Sequence, residues 1–196
     1  MKVLDGFQDA YNVHLSPPLH AGLRSGRYYG VPAAVINNAA LAGDTIYWTP
    51  VFVPERTTIV ELGCNVVTTG TATLARLGMY RLGAGTLTAV ALPTEFSVST
   101  TGAKAATISA PVEPGTYFIA IVLNGSITIS TAQVNGTAGP AGIYGGMHGA
   151  ATPTAAGSAD VGLTTSYTYA ALPSPTYALS NTVYGGIVIP HLTYRI

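Results

Sequence analysis

The sequence predicts an all-β protein, an antiparallel β-sandwich of jelly-roll type with an extended N-terminal arm. Three observations predict it. Short runs rich in β-branched and aromatic residues recur along the chain. Turn residues separate them at intervals of about 8–12 residues, the spacing of sandwiches and barrels. No stretch repeats apolar residues with a helical period. The expected division is a docking arm over 1–30 and a sandwich domain over 31–196. Within the domain, a Gly/Thr/Tyr-rich loop region is expected at about 135–175.

The arm is read from its lack of any period and from the Ser16-Pro17-Pro18 break, because proline stops a helix and restricts the residue before it. Strands begin at Ile46 and run to Val53, with Pro50 demanding an edge position or a division into two short strands. Along Thr57–Thr68 the alternation assigns Val60, Leu62, Cys64 and Val66 to the inner face. Along Thr73–Leu82, Leu74, Arg76, Gly78 and Tyr80 lie on one side, and Leu77 and Met79 on the other. Gly83-Ala84-Gly85 marks a turn. Glu95–Ser99 and Ala105–Ser109 flank Thr101-Gly102 and read as a strand pair. After the Glu113-Pro114-Gly115 turn, Thr116–Leu123 is apolar on both faces, which predicts a central strand covered on both sides. Asn124-Gly125 predicts a hairpin into Ser126–Ser130. Thr182–Tyr184 and Ile187–Tyr194 read as closing strands. Residues 135–175 exceed the length a compact domain ordinarily leaves unstructured, and such loops are usually functional.

Charge is scarce. The 196 residues hold 8 Lys+Arg and 8 Asp+Glu, and from Pro114 to Ile196 only Asp160 and Arg195 are charged. Dispersed monomers ordinarily carry mixed charges over their surface and a net charge away from zero. A neutral chain so poor in charge is expected to be covered by copies of itself or by a larger particle. The same deficit argues against nucleic acid, which needs clustered Lys and Arg to displace counterions. Mean hydropathy is +0.38, but no apolar run approaches the roughly 20 residues of a spanning helix, so no membrane insertion is expected. Nor does the N-terminus carry the apolar stretch of a secretory signal. Cys64 is the single cysteine, which excludes an intramolecular disulfide, and its apolar neighbours point to a buried thiol.

Motifs for catalysis are missing. There is no phosphate-binding glycine loop and no nucleophile elbow. His14, His20, His148 and His191 have no metal-ligand spacing. A glycosidase needs two facing carboxylates, yet Glu55 beside Arg56 and Glu113 before Pro-Gly read as solvated loop residues. Neither enzymatic activity nor a cofactor or metal is expected. The aromatics are more informative: 12 tyrosines stand against 4 phenylalanines. Tyrosine joins a flat apolar body to a polar tip, which suits interfaces. Tyr144, Tyr167, Tyr169 and Tyr177 sit among small uncharged residues, as contacts either between subunits or to sugar rings.

The series Tyr28-Tyr29, Asp44–Tyr47, Phe52-Val53-Pro54, Arg76–Tyr80, Ser99–Gly102 and Glu113–Ala120 resembles the small β-sandwich domains of minor virion proteins of tailed bacteriophages, found in tail fibres and other appendages. The resemblance covers about residues 28–130 and carries no catalytic residues. It implies a virion structural protein, assembled in the host cytoplasm as a short fibre or spike. Its partners would be phage capsid or tail proteins and, in some roles, host surface polysaccharide. Fibres of this kind imply a homotrimer. Phe7, Tyr11, Leu15, Leu19 and Leu23 are then the arm residues expected to dock on the particle. A capsid-binding decoration (cement) protein is the alternative within this class. A free carbohydrate-binding module or glycan-active enzyme is the alternative outside it.

Overall fold

A strand whose side chains are apolar on both faces has no solvent side, and β9 (Gly115–Leu123) organises the molecule around that fact. In the computed structural model, which describes residues 23–30, 35–133, 163–178, 183–184 and 188–196, Tyr117, Ile119, Ile121 and Leu123 enter one core and Phe118, Ala120 and Val122 another. Every regular element among the described residues is a strand.

The strands form two antiparallel sheets packed face to face, a β-sandwich. The first contains β1 (Tyr28–Gly30), β2 (Val35–Leu41), β4 (Thr57–Thr68), β8 (Gly102–Val112), β10 (Ile127–Gln133), β14 (Val188–Pro190) and β15 (Thr193–Arg195). The second contains β3 (Thr45–Val53), β5 (Leu74–Leu82), β6 (Thr86–Ala91), β7 (Phe96–Ser97), β9, β11 (Leu163–Ser166), β12 (Thr176–Ala178) and β13 (Val183–Tyr184). Between the sheets, Ile59, Leu62, Cys64, Val66, Ile127, Ile129 and Tyr194 of the first meet Val51, Val53, Leu77, Met79 and the inner side chains of β9. Each large apolar side chain buried there contributes about 1.5–3 kcal/mol of transfer free energy.

The first sheet is completed by the segment 188–195. β4 pairs along one side with β8; on its other side it meets β15 at Glu61–Gly63 and β10 only at Val66 and Thr68. β14 pairs with the far half of β10, so β14 and β15 fill the place where β4 and β10 part. The Thr49 hydroxyl of β3, buried between the sheets, donates to the Pro190 carbonyl at 2.8 Å, which satisfies a polar group that would otherwise be stranded in the core.

Several expectations need correction. The end of the predicted arm is a strand: Tyr28, Tyr29 and Gly30 pair with Arg195, Tyr194 and Thr193. Tyr29 stacks on Tyr194 with ring centroids 5.7 Å apart, which ties this stretch to the body. Phe7, Tyr11, Leu15 and Leu19 lie outside the described residues, as does Tyr144. Val60 does not face the core. A bulge between Ile59 and Glu61 shifts the alternation, so Ile59 is buried instead, while Leu62, Cys64 and Val66 point inward as predicted. Pro50 lies in one continuous strand and pairs with Phe118 of β9 on one side, while on the other side β11 pairs with Thr45–Trp48 of the same strand.

Glu95–Ser99 and Ala105–Ser109 are not a pair. β7 joins β5 in the second sheet and β8 joins β4 in the first, with the chain crossing between them and Gly102 at φ 101°. Asn124-Gly125 likewise carries the chain from β9 in one sheet to β10 in the other, and no hairpin forms. The Asn124 carboxamide oxygen accepts from the backbone N–H groups of Thr73 and Leu74. A Cβ on Gly125 would lie 2.8 Å from Ala72 N and from Thr71 C, so glycine is needed there for close approach. Within 135–175, the described residues from 163 onward include β11 and a covering segment, not a loose loop.

Candidate functional site

The register of the second sheet arranges its outer face in rows. Pro50, Phe118 and Tyr80 share one; Trp48, Ala120 and Gly78 share the next. Left bare, this face would expose several large apolar side chains to water. It is covered by the chain itself. The β6–β12 edge rolls over it, so that Tyr177 of β12 packs on Trp48 of β3 with ring centroids 5.2 Å apart, and Leu172 is buried beside them. Trp48 also meets Tyr80 edge-on at 5.1 Å. The polar tips are satisfied: Trp48 Nε1 donates to Thr165 Oγ1 at 3.1 Å, and the Tyr80 hydroxyl to the Pro173 carbonyl at 2.9 Å. Burial pushes the Tyr80 phenol well above its ordinary range.

Asp44 holds the near end of the covering segment. Its φ is 54°, a left-handed conformation that Asp tolerates better than most residues. In that turn its carbonyl accepts from Tyr167 N at 2.9 Å, and its carboxylate Oδ1 from Tyr169 N at 2.8 Å. The Tyr167 hydroxyl donates to the Ala171 carbonyl, closing a loop that presents Tyr169 at the edge of the face.

There Tyr169 joins a charged pair. Arg76 Nη2 lies 2.8 Å from Glu95 Oε2, the same oxygen accepts from the Tyr169 hydroxyl at 3.1 Å, and the guanidinium carbon sits 5.5 Å from the tyrosine ring centroid. Burial, then the hydrogen bond to Glu95, raises the Tyr169 phenol above its usual range. Arg76 Nε is buried with no hydrogen-bond partner among the described residues. The ion pair is partly exposed and contributes less than about 1 kcal/mol to stability. Its chemical potential lies in recognition: a half-buried aromatic ring, a carboxylate and a guanidinium within one side-chain length can offer a ring face, acceptors and donors to a polyhydroxylated ligand.

Three of the four predicted tyrosines thus share one face of the second sheet. Tyr167 and Tyr177 are committed to the outer core, and Tyr169 alone borders a charged cluster. Leu23 is half-buried, with its N–H donating to Glu55 Oε1 at 3.0 Å, so its backbone docks on its own chain. Sequence reading missed Asp44 and Glu95 as members of the site. Arg76 had a signal, the alternation that sets it on the side of Tyr80. A second cluster lies on the first sheet, where the Tyr28 hydroxyl donates to Glu61 Oε2 and Arg195 lies 3.4 Å from the same carboxylate oxygen. Among the described residues, no group of three or more His, Cys, Asp or Glu could hold a metal, and no helix is long and apolar enough to cross a membrane. Scanned against family models the chain matches no family, and searched against curated proteins it matches no relative.

Proposed function

We propose that the chain is a structural protein of a bacteriophage particle, a short fibre or spike anchored through its N-terminal arm and assembled as a homo-oligomer, with a trimer favoured. The observation that carries this reading is the shortage of charge: 8 Lys+Arg and 8 Asp+Glu, with a formal net charge of zero. Such a surface is poorly protected against association. The β-sandwich body suits the reading. So does the root of the arm, because Leu23 is bonded to Glu55 and β1 is laddered to β15, so tension on the arm would pass into the sheet.

The Tyr169–Arg76–Glu95 cluster favours a second property of the same protein, contact with host surface glycans. Without glycan binding, the decoration (cement) role fits better.

Removing residues 1–22 leaves β1 intact and tests the anchor. The truncated protein is expected to fold and to be missing from purified particles, whereas particles carrying the full chain bind a specific antibody. A truncated protein that still joins particles refutes the arm as anchor; full chain absent from particles refutes the virion role. On a glycan array, binding lost in Tyr169→Ala and Glu95→Gln supports receptor contact, and no binding by the intact chain supports decoration.

A further inference from the structure

Two clusters on opposite sides of the sandwich share one construction. At the second sheet, Tyr169 and Arg76 both bond Glu95 Oε2, with the guanidinium carbon 5.5 Å from the tyrosine ring centroid. At the first sheet, the Tyr28 hydroxyl donates to Glu61 Oε2, Arg195 Nη1 lies 3.4 Å from the same oxygen, and the guanidinium carbon sits 5.8 Å from the Tyr28 ring centroid. Each arginine buries its Nε, and these are the two buried side-chain polar atoms without a hydrogen-bond partner among the described residues. An orphaned buried donor costs stability, so stability alone does not account for either cluster. The register shows how the first-sheet cluster is presented. Leu62, Tyr194 and Tyr29 pack in the core, so by alternation Glu61, Arg195 and Tyr28 face outward. Tyr28, Arg195, Glu61 and Thr107 form one lateral row across β1, β15, β4 and β8. The next row, Gly30, Thr193, Gly63 and Ala105, is uniformly small. The Tyr28 ring leans over that low row, since a Cβ on Gly63 would lie 3.5 Å from Tyr28 Cε1. Its hydroxyl holds it down at Glu61, yet Tyr28 stays 49% exposed, so the ring is fixed without being covered. Among the described residues no donor meets Glu61 Oε1.

We propose that Tyr28, Glu61 and Arg195 form a sugar-contact site, which takes a neutral pyranose ring stacked on Tyr28 with its hydroxyls shared between Glu61 Oε1 and the Arg195 guanidinium. A pyranose carries an apolar C–H face and a rim of hydroxyls that both donate and accept. That matches an exposed aromatic ring set beside an acceptor and a donor. The charges select a neutral sugar. Arg195 and Glu61 balance one another, so the carboxylate of an acidic sugar could reach the guanidinium only by approaching a like charge. Because the ring is already held in place, little ordering remains to oppose binding. The chain would then carry sugar contacts on both faces of the sandwich, and linked contacts of this kind multiply avidity. The inference goes beyond the reading of Tyr169 and depends neither on that site nor on the virion role.

The test is an amide-resolved NMR titration of the full chain with neutral gluco-, galacto- and manno-oligosaccharides, and with oligogalacturonate as the acidic probe. At least one neutral probe is expected to shift the Gly63, Thr193 and Arg195 amides and to saturate. Tyr28→Ala should weaken that binding roughly tenfold or more, since the stacked ring is lost, and should leave the sedimentation coefficient unchanged. Glu61→Gln offers a gain that a misfolded chain cannot mimic: with its counter-charge removed, Arg195 should bind oligogalacturonate, which the wild type ignores. The proposal is overturned by the absence of any saturable shift from the neutral probes, by shifts that survive Tyr28→Ala, or by a Glu61→Gln chain that still ignores oligogalacturonate. A changed sedimentation coefficient in Tyr28→Ala also overturns it, because the cluster would then be a contact between copies. Tyr169→Ala should leave the shifts around Tyr28 intact. A failed glycan reading at Tyr169 and a failure at Tyr28 are thereby told apart.

Discussion

Replacing Asp44 separates two physical effects at one residue. Its carboxylate accepts the Tyr169 N–H at 2.8 Å, and its φ of 54° is left-handed. The residue is exposed, so the hydrogen bond sits at the weak end for a charged acceptor, about 1 kcal/mol. Alanine loses that bond and adds about 1 kcal/mol for holding a Cβ in the left-handed region. Asp44→Ala is therefore expected to cost about 2 kcal/mol. Glycine loses the bond but is at ease with the turn, for a net of about 1 kcal/mol. Asparagine keeps both an acceptor and the turn preference and should cost a few tenths of a kcal/mol. Urea unfolding followed by Trp48 fluorescence reads the order directly, since the protein has 1 tryptophan and it lies in the outer core. Hydrogen exchange at the Tyr169 amide should accelerate in Ala and Gly and remain slow in Asn. The reasoning is refuted if Gly costs as much as Ala, or if Tyr169 protection is indifferent to all three changes.

Other outcomes follow from the same geometry. Leu172→Ala should cost about 2–4 kcal/mol and shift Trp48 emission to the red, because the side chain is buried in the outer core; an unshifted spectrum would mean the covering segment does not seal that core. Cys64, buried and with its thiol pushed up to about 12, should resist a thiol reagent at pH 8 and react on unfolding, which timed labelling with and without urea will show. Burial lowers the His191 pKa below its ordinary 6.5. The unfolded chain therefore takes up a proton first as pH falls, and stability fully present above about pH 6.5 declines until the lowered folded value is reached. Denaturation midpoints measured from pH 8 to pH 5 should fall in that window and flatten in His191→Gln.

The strand body was legible because its signals are local. β9 announces its two dry faces in eight apolar or near-apolar letters, and the sides assigned to Leu77, Met79 and Tyr80 follow from period two. Partner choice was not legible. Asn124-Gly125 encodes a sharp reversal, but whether the next strand stays in the sheet or crosses depends on what Gly125 packs against, here the backbone of Thr71 and Ala72. The bulge before Glu61 has no sequence signature, so Val60 was assigned inward. The tyrosines were recognisable as interfacial, but their interface is mostly with their own chain, since only the rolled edge of the second sheet brings Tyr177 to Trp48. Asp44 and Glu95 reach Tyr169 across 125 and 74 residues of chain, distances over which no local pattern operates.

In most sheets polarity guards alignment, since sliding a strand by one residue drives greasy side chains into water. β9 lacks that safeguard, because either parity of its residues would land among hydrocarbon. Bulk must serve instead. Ala120 lies between Trp48 and Gly78, so a misaligned Ile119 or Ile121 would collide with the indole, and an alanine delivered to the opposite layer would leave a hole. Enlarging Ala120 while trimming Ile119 should thus erode uniqueness before it erodes compactness, yielding a collapsed molecule with two competing threadings of its central strand.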